Sequence, residues 1–157
     1  MALKISRFVS LLSLALCLGP ALTHLLELPH KIVLSREEYR IVQGIYRGWA
    51  MLGVAVVTAL ASTLVTALLL RHRRAAYRLA ISAFLCLVAA QLVFWIFTFP
   101  ANRATDNWTV LPADWTYWRS RWELSHAAGA LLVLAAFVAE ALSVVRGDRK
   151  VPSGAAV

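Results

Sequence analysis

Four long apolar stretches constrain this chain more than any other feature of its sequence. They cover residues 5–26, 49–70, 76–99 and 125–145. Each is close to the ~20 residues that a helix needs to cross ~30 Å of hydrocarbon. Of all residues, 61% are hydrophobic and only 15% are charged, whereas about 25% are charged in soluble domains. One small core cannot bury this apolar excess, so we expect an all-α, four-helix transmembrane bundle over residues 1–146, surrounded by membrane lipid.

The charged residues between the stretches predict how the bundle is oriented. Short connections favour an up-down-up-down order, so the polar segments alternate between two sides. One side carries nine basic residues and one acid, Asp148. The other carries seven basic and six acidic residues. The positive-inside rule therefore predicts that both termini are cytoplasmic in a plasma (inner) membrane. The basic residues of the cytoplasmic side are Lys4, Arg7, Arg71, Arg73, Arg74, Arg78, Arg146, Arg149 and Lys150.

The net charge of +8 does not indicate a nucleic-acid partner. Its excess is concentrated on the predicted cytoplasmic side, where Arg71–Arg74 would lie against anionic lipid headgroups. We expect the first stretch to be retained as a helix and not removed as a signal peptide. The tail 147–157 is small and polar, and we expect it to be disordered.

Two helices are predicted to extend beyond the lipid and form a cap at the outer end. Ser35 and Glu38 fit a capping box, which would start a helix of about 35 residues near Arg36. Asp114 is a plausible N-cap for the fourth helix. Prolines should limit the other two helices, with Pro29 kinking or ending the first and Pro100 stopping the third.

Polar side chains that can carry chemistry gather at the predicted outer end. His24 and His126 should lie at one depth, because the first and fourth helices are neighbours in an up-down bundle. Glu27 shares the helical face of His24, and Arg119 can pair with Glu123. Intervals of three and four residues place Trp115, Trp118, Trp122 and His126 along one stripe. The third helix brings Trp95, Thr98 and Asn102 to the same level, and the second brings Gln43, Tyr46 and Arg47.

Several polar, aromatic and glycine residues have structural explanations that involve no chemistry. Trp108 and Trp115 are typical of interfacial anchors. Glu140, inside the fourth stretch, can reach the cytoplasmic boundary as a snorkelling side chain. Gly44 and Gly48 resemble a GxxxG pair that packs against a helix of this chain or of a second copy, which leaves a homo-oligomer open.

Metal or haem binding is an alternative use of the histidines. His24, Glu27, His30 and His126 offer imidazole and carboxylate ligands that suit transition metals. Their spacing is not a recognised ligand motif, however, and haem between His24 and His126 has no support beyond the two imidazoles. We therefore expect no cofactor and assign no metal ligand.

Five segments resemble the small four-helix membrane proteins grouped with the fungal anthrone oxygenases. The segments are His24-Leu-Leu-Glu-Leu-Pro-His-Lys31, Tyr46-Arg-Gly-Trp49, Phe99-Pro-Ala-Asn102, Thr105-Asp-Asn-Trp-Thr109 and Arg121-Trp-Glu-Leu-Ser-His126. The resemblance extends from the first predicted helix to the fourth. It implies the oxidation of an anthrone to an anthraquinone by O₂ without an obvious cofactor.

If that activity applies here, the reaction needs a base, a flat apolar pocket and donors for an oxyanion. His126 is the expected base, since histidine exchanges protons near neutral pH. Asn102 or Arg121 would stabilise the oxyanion. Substrate contacts would come from Trp118 and Trp122 by stacking, together with His24, Glu27 and Trp95. The alternative from a different class is a non-enzymatic membrane subunit or interaction protein.

Overall fold

A computed structural model describes residues 1–147, and no β-strand occurs among them. The α-helices are α1 (Ala2–Lys31), α2 (Arg36–Gln43), α3 (Gly53–Leu69), α4 (Arg74–Val93), α5 (Phe99–Ala104) and α6 (Trp115–Gly147). Two 3₁₀ turns, Gly44–Tyr46 and Trp49–Leu52, connect α2 to α3, and a π-helical turn, Phe94–Thr98, connects α4 to α5. The predicted tail lies outside the described residues, except for Gly147, which is the last residue of α6.

Four helical segments are long and apolar enough to cross a membrane. They are Ala2–Lys31, Trp49–Leu69, Arg74–Ala104 and Trp115–Arg146. Each contains one of the four predicted stretches almost completely. Large hydrophobic side chains such as Phe8, Val57, Leu85 and Leu131 are exposed on their outer faces. The prediction of an all-helical chain with four helices able to span a membrane is therefore confirmed for the described residues, and it is consistent with an integral membrane protein.

Small side chains allow the four membrane helices to pack closely. α6 lies against α1 and α4, and α3 lies against the same two helices, so the four enclose a common interior. The centre of this interior contains Leu14, Ala59, Leu87 and Ala136, each at most 1% exposed. Alanine at such positions lets helix backbones approach, which favours association where no hydrophobic effect acts between helices.

Buried polar groups join α1 to its neighbours near the Arg71–Arg74 turn. The Ser6 and Thr66 hydroxyls lie 2.7 Å apart, and the Ser10 hydroxyl donates to the Glu140 carboxylate at 2.6 Å. The Arg7 guanidinium donates to the Ser143 carbonyl at 3.3 Å. Glu140 is fully buried, so the prediction that it snorkels to the boundary is wrong. Its hydrogen bond within the bundle compensates part of the cost of burial.

At the opposite end, residues 34–52 and 105–114 form a cap over the bundle. The capping box is confirmed, because the Ser35 hydroxyl accepts from the Glu38 backbone and the Glu38 carboxylate accepts from the Ser35 backbone. The prediction of one helix of about 35 residues is wrong. The chain leaves the helical path at Gly48, whose φ of +89° favours glycine, and it turns there into α3.

Neither proline ends its helix where the sequence predicted. α1 continues through Pro29 to Lys31. The third spanning helix continues past Pro100, which lies in the first turn of α5, where a missing N–H is tolerated. Pro100 cannot donate to the carbonyl four residues earlier, Ile96, and the Arg121 guanidinium donates to that oxygen instead, at 2.7 Å.

Candidate functional site

A cavity of about 910 Å³ lies between the four membrane helices and beneath the cap. Its deep end is apolar and is formed by residues such as Cys17, Val56 and Val133. Gly129 and Ala130 of α6 leave room at its side, and a Cβ added to Gly129 would meet no atom within 4 Å. A volume of this size is in the range of small-molecule binding sites.

His24 and His126 meet in the wall of this cavity, together with Trp122. The two imidazole centroids are 4.3 Å apart, and the Trp122 centroid is 3.9 Å from that of His126 and 5.0 Å from that of His24. His24 is only 6% exposed, and its Nδ1 atom has no hydrogen-bond partner. The structure thus brings together three residues that the sequence placed at one depth.

The hydrogen bond of His126 defines which of its nitrogens can accept a proton. Nδ1 lies 2.9 Å from the backbone carbonyl oxygen of Trp122, one helical turn earlier. A carbonyl oxygen only accepts, so Nδ1 carries the proton in the neutral ring. Nε2 then has a free lone pair in a residue that lines the cavity. This is the arrangement required of a general base.

Asn102 and Arg121, the two predicted oxyanion donors, lie in different places. The Asn102 Oδ1 atom accepts from the Trp122 indole N–H at 2.9 Å, so its NH₂ group is available on the cavity wall. Arg121 does not line the cavity. Besides Ile96, its guanidinium contacts the Tyr117 hydroxyl at 3.1 Å and stacks on Phe97.

A buried ionic network, centred on Lys31, adjoins the two imidazoles. The Lys31 ammonium lies 3.2 Å from the Glu123 carboxylate and 3.7 Å from that of Glu27, and it donates to the Tyr46 hydroxyl at 2.9 Å. Tyr46 in turn donates to Glu27, and its ring centroid is 4.7 Å from that of His24. Lys31 is only 3% exposed. Glu27 is therefore connected to His24 through the Tyr46 side chain.

Tyr39 completes the network from α2. Its hydroxyl donates to Glu123 at 2.9 Å and accepts from the Gln43 amide at 2.5 Å. Burial raises the pKa of Tyr39 far above its ordinary value, and the Glu123 carboxylate raises it further. Burial likewise raises the pKa of Tyr46, with an additional contribution from Glu27. Both phenols are therefore protonated donors at neutral pH.

The cap and the outer helix faces hold the tryptophans that do not reach the cavity. Trp95 is 57% exposed and packs on Phe94 and Phe99, which places it toward lipid. Trp118 packs in the cap cluster formed by Tyr39, Ala101, Trp108, Leu111 and Trp122. Trp115 stacks on Arg119, which donates to the Leu34 carbonyl at 2.7 Å. The predicted Arg119–Glu123 pair is wrong, because Glu123 binds Lys31 instead.

Trp108 belongs to the cavity, although the sequence suggested an interfacial anchor. It follows Asp106 and Asn107, and all three have positive φ angles, of 45°, 51° and 66°. This left-handed turn is uncommon for residues other than glycine. It places Trp108, which is 5% exposed, in the cavity roof with its indole N–H unpartnered.

The four residues considered as metal ligands, His24, Glu27, His30 and His126, do not all converge in the structure. No group of three or more His, Cys, Asp or Glu side chains converges there in a way that could hold a metal ion. His30 is exposed. The two imidazoles of His24 and His126 contact each other directly, so no porphyrin plane fits between them in this arrangement.

Sequence reasoning missed Lys31, Tyr39 and Trp108 as members of the site. The available signal was their position, because each lies close to a predicted helix end at the level of His24 and His126. Compared with known proteins, the chain matches no family model, and no curated protein or solved structure is significantly similar to it.

Proposed function

We propose that this protein is a cofactor-independent, oxygenase-like membrane enzyme that acts on a lipophilic, anthrone-like aromatic compound. The observation that carries the proposal is the free Nε2 lone pair of His126 in the wall of a large, mostly apolar cavity. A flat aromatic substrate would stack on Trp122, with its acidic C–H group toward His126. The resemblance to the anthrone oxygenases supports the same substrate class.

The proposed reaction needs only O₂ as a second substrate. His126 takes a proton from the methylene carbon opposite the aromatic ketone, and the pair of electrons left behind delocalises onto the ketone oxygen. The Asn102 NH₂ group donates to that oxyanion. The carbanion reduces O₂ and forms a C–O bond, which gives a hydroperoxide after the proton returns. Loss of water from the hydroperoxide forms the second carbonyl, so one anthrone and one O₂ yield one anthraquinone and one water.

The proposal includes an orientation in the membrane. We infer an up-down-up-down bundle, because α1 contacts α6 through Ser10 and Glu140 at one end and through His24 and His126 at the other. The basic turn at Arg71–Arg74 would be cytoplasmic, as would both termini, in a plasma membrane. The cavity would then lie toward the outer leaflet. Reporter fusions at this turn test the orientation, and an external location of the turn would contradict it.

Turnover of anthrone by the purified protein in liposomes tests the chemistry. Formation of anthraquinone and uptake of O₂ are measured above the rate with empty liposomes, since anthrones also oxidise slowly without an enzyme. We expect wild-type protein to accelerate the reaction and His126→Ala to abolish the acceleration. His30→Ala is the matched control, because His30 is exposed and outside the cavity.

The outcomes separate the enzyme from a non-enzymatic membrane subunit. If His126→Ala leaves the rate unchanged, the assignment of the base is wrong. If wild-type protein binds anthrone without accelerating its oxidation, the cavity serves a binding protein, and the non-enzymatic alternative is favoured.

A further inference from the structure

The polar part of the cavity wall has an unbalanced positive charge. Among the described residues that line the cavity, Arg40 and Arg47 are charged, and none is an aspartate or a glutamate. The nearby carboxylates of Glu27 and Glu123 are held by Lys31 and the tyrosines, outside the cavity lining. An anionic group that entered the cavity would therefore meet two cations and no competing acid.

Arg40 and Arg47 differ from three other arginines at this end of the bundle. Arg36, Arg119 and Arg121 each donate to a backbone carbonyl, of Leu111, Leu34 and Ile96 respectively. Within the described chain, neither the Arg40 nor the Arg47 side chain forms a hydrogen bond or an ion pair. Both guanidinium groups are solvent-exposed at the edge of the cavity. They can thus bind a ligand without giving up a contact that the fold requires.

Two buried polar atoms lie in the same part of the cavity. Gln43, between the two arginines in sequence, is 5% exposed, and its Oε1 atom has no hydrogen-bond partner. The indole N–H of Trp108 is also unpartnered, in a residue held by the left-handed turn. Buried polar atoms without partners are costly, and at a cavity wall they indicate groups that a ligand satisfies.

We propose that the cavity takes an amphiphile with an anionic oxygen group, such as a carboxylate or a phosphate. The anion binds Arg40 and Arg47 at the rim, while a lipophilic ring system lies deeper, against Trp122 and His126. Guanidinium groups suit this role because they offer paired donors to planar or tetrahedral oxyanions. Polar substituents on the ring reach Gln43 and Trp108. This inference rests on the proposed function, since it adds an acidic group to that substrate class.

Anthracene-2-carboxylate and its uncharged analogue anthracene-2-carboxamide test the charge preference. Their fluorescence reports binding to the protein in nanodiscs of phosphatidylcholine, and neither probe needs to be oxidised. We expect wild-type protein to bind the carboxylate about tenfold more tightly than the carboxamide, which corresponds to ~1.4 kcal/mol. The double variant Arg40→Gln/Arg47→Gln should bind both probes equally.

A second double variant, Arg36→Gln/Arg103→Gln, removes the same net charge from the same end. This control variant should keep the preference for the carboxylate. That result would show that the preference comes from contacts with Arg40 and Arg47 and not from the net positive charge at this end of the protein. Equal binding of the two probes by wild-type protein overturns the proposal. So does a preference that survives in Arg40→Gln/Arg47→Gln, provided that thermal unfolding shows this variant to be folded.

The anion could belong to the substrate or to a bilayer phospholipid. Nanodiscs that contain phosphatidylglycerol distinguish these sources. If the phospholipid phosphate occupies the site, this lipid weakens binding of the carboxylate to wild-type protein and has no effect on the double variant. If only the substrate's own anion is bound, phosphatidylglycerol changes the binding of the carboxylate neither to wild-type protein nor to the double variant.

Failure of this inference can be told from failure of the proposed function. Anthrone carries no anionic group, so turnover of anthrone by wild-type protein together with equal binding of the two anthracene probes would overturn this inference and leave the proposed function standing. Conversely, His126→Ala should keep the preference for the carboxylate while losing turnover.

Discussion

The Lys31 ammonium lies 3.2 Å from the Glu123 carboxylate, and both side chains are almost completely buried. The pair joins the last turn of α1 to α6. Lys31 also donates to Tyr46, and Tyr39 donates to the same Glu123 oxygen, Oε1, whereas Oε2 of Glu123 is buried without a hydrogen-bond partner. Through Tyr39 and Tyr46, the ion pair also ties the cap to the bundle beside the two imidazoles of the candidate site.

Removal of one partner of this pair should destabilise the protein strongly. Lys31→Met leaves the Glu123 carboxylate buried without its cation, and we expect a loss of ~3–5 kcal/mol in the free energy of unfolding. The double variant Lys31→Met/Glu123→Leu should recover much of that loss, because no isolated charge remains. Denaturant unfolding in mixed micelles measures both. If the double variant is as unstable as the sum of two independent single variants, the two charges are not coupled.

The kcat values of two variants should distinguish the two predicted oxyanion donors, Asn102 and Arg121. Asn102→Ala removes a donor on the cavity wall, and we expect a fall in kcat for anthrone of ~10²-fold, the usual scale for loss of one such donor. Arg121→Met should leave kcat within a factor of a few, because its guanidinium lies outside the cavity lining and serves the Ile96 carbonyl. A larger loss of kcat in Arg121→Met than in Asn102→Ala would reverse this assignment.

Filling the cavity should block binding without unfolding the protein. Gly129→Leu adds a side chain to a position where a Cβ has no neighbour within 4 Å, and that position lines the cavity. We expect affinity for the anthracene probes to fall at least tenfold, while the melting temperature stays near that of wild type. Gly53→Leu is the control, since it adds the same group at an equally open glycine that does not line the cavity. Equal loss of affinity in both variants would argue that the probes bind elsewhere.

Gly48 and Gly44 form a second matched pair, which tests the turn into α3. The φ angle of Gly48 is +89°, whereas Gly44 has an ordinary helical φ of −59°, and neither has an atom within 4 Å of an added Cβ. Gly48→Ala should cost ~1–2 kcal/mol because of backbone strain alone. Gly44→Ala should be neutral or slightly stabilising. Equal unfolding free energies for the two variants would show that the left-handed conformation is not needed.

The capping box of α2 should contribute a pH-dependent part of the stability. Hydrogen bonds from the Ser35 hydroxyl and backbone N–H hold the pKa of Glu38 below its ordinary value. A lowered carboxyl pKa in the folded state stabilises the protein above the unfolded pKa of ~4.3, and the contribution is lost as the pH falls through the folded value. Glu38→Gln should therefore lower the melting temperature at pH 7 more than at pH 3. Glu37→Gln, outside the capping box, should show no such difference.

The fold could be predicted from the sequence because hydrocarbon permits few backbone structures. Four apolar stretches specify four helices because backbone groups in hydrocarbon must bond within their own segment. The stripe that ends at His126 also predicted the meeting of Trp122 with His24, since helical periodicity survives in a bundle. Trp95 and Trp118 were harder to place, because the same periodicity does not say which side of the stripe faces a neighbour and which faces lipid.

The details that could not be predicted depend on contacts between residues distant in sequence or on a local backbone conformation. Pro29 and Pro100 were predicted to limit their helices, yet α1 continues to Lys31, and Arg121 satisfies the Ile96 carbonyl that Pro100 leaves open. The burial of Lys31 was not predicted, because a buried lysine requires partners and its partner Glu123 is distant in sequence. Gly44 and Gly48 read as a packing motif, whereas Gly48 supplies a backbone conformation that spacing alone does not indicate.

The π-helical turn at Phe94–Thr98 fixes the direction in which α5 presents its side chains. A π turn contains one residue more than the α-helical path around it, and each residue of an α-helix rotates the chain by about 100°. If the same residues wound as an ordinary α-helix, the extra residue would rotate α5 by more than a quarter of a revolution and carry the Asn102 amide away from Trp122. The π turn absorbs that residue, so this wall of the cavity depends on a local change of winding that leaves the length of the spanning segment almost unaltered.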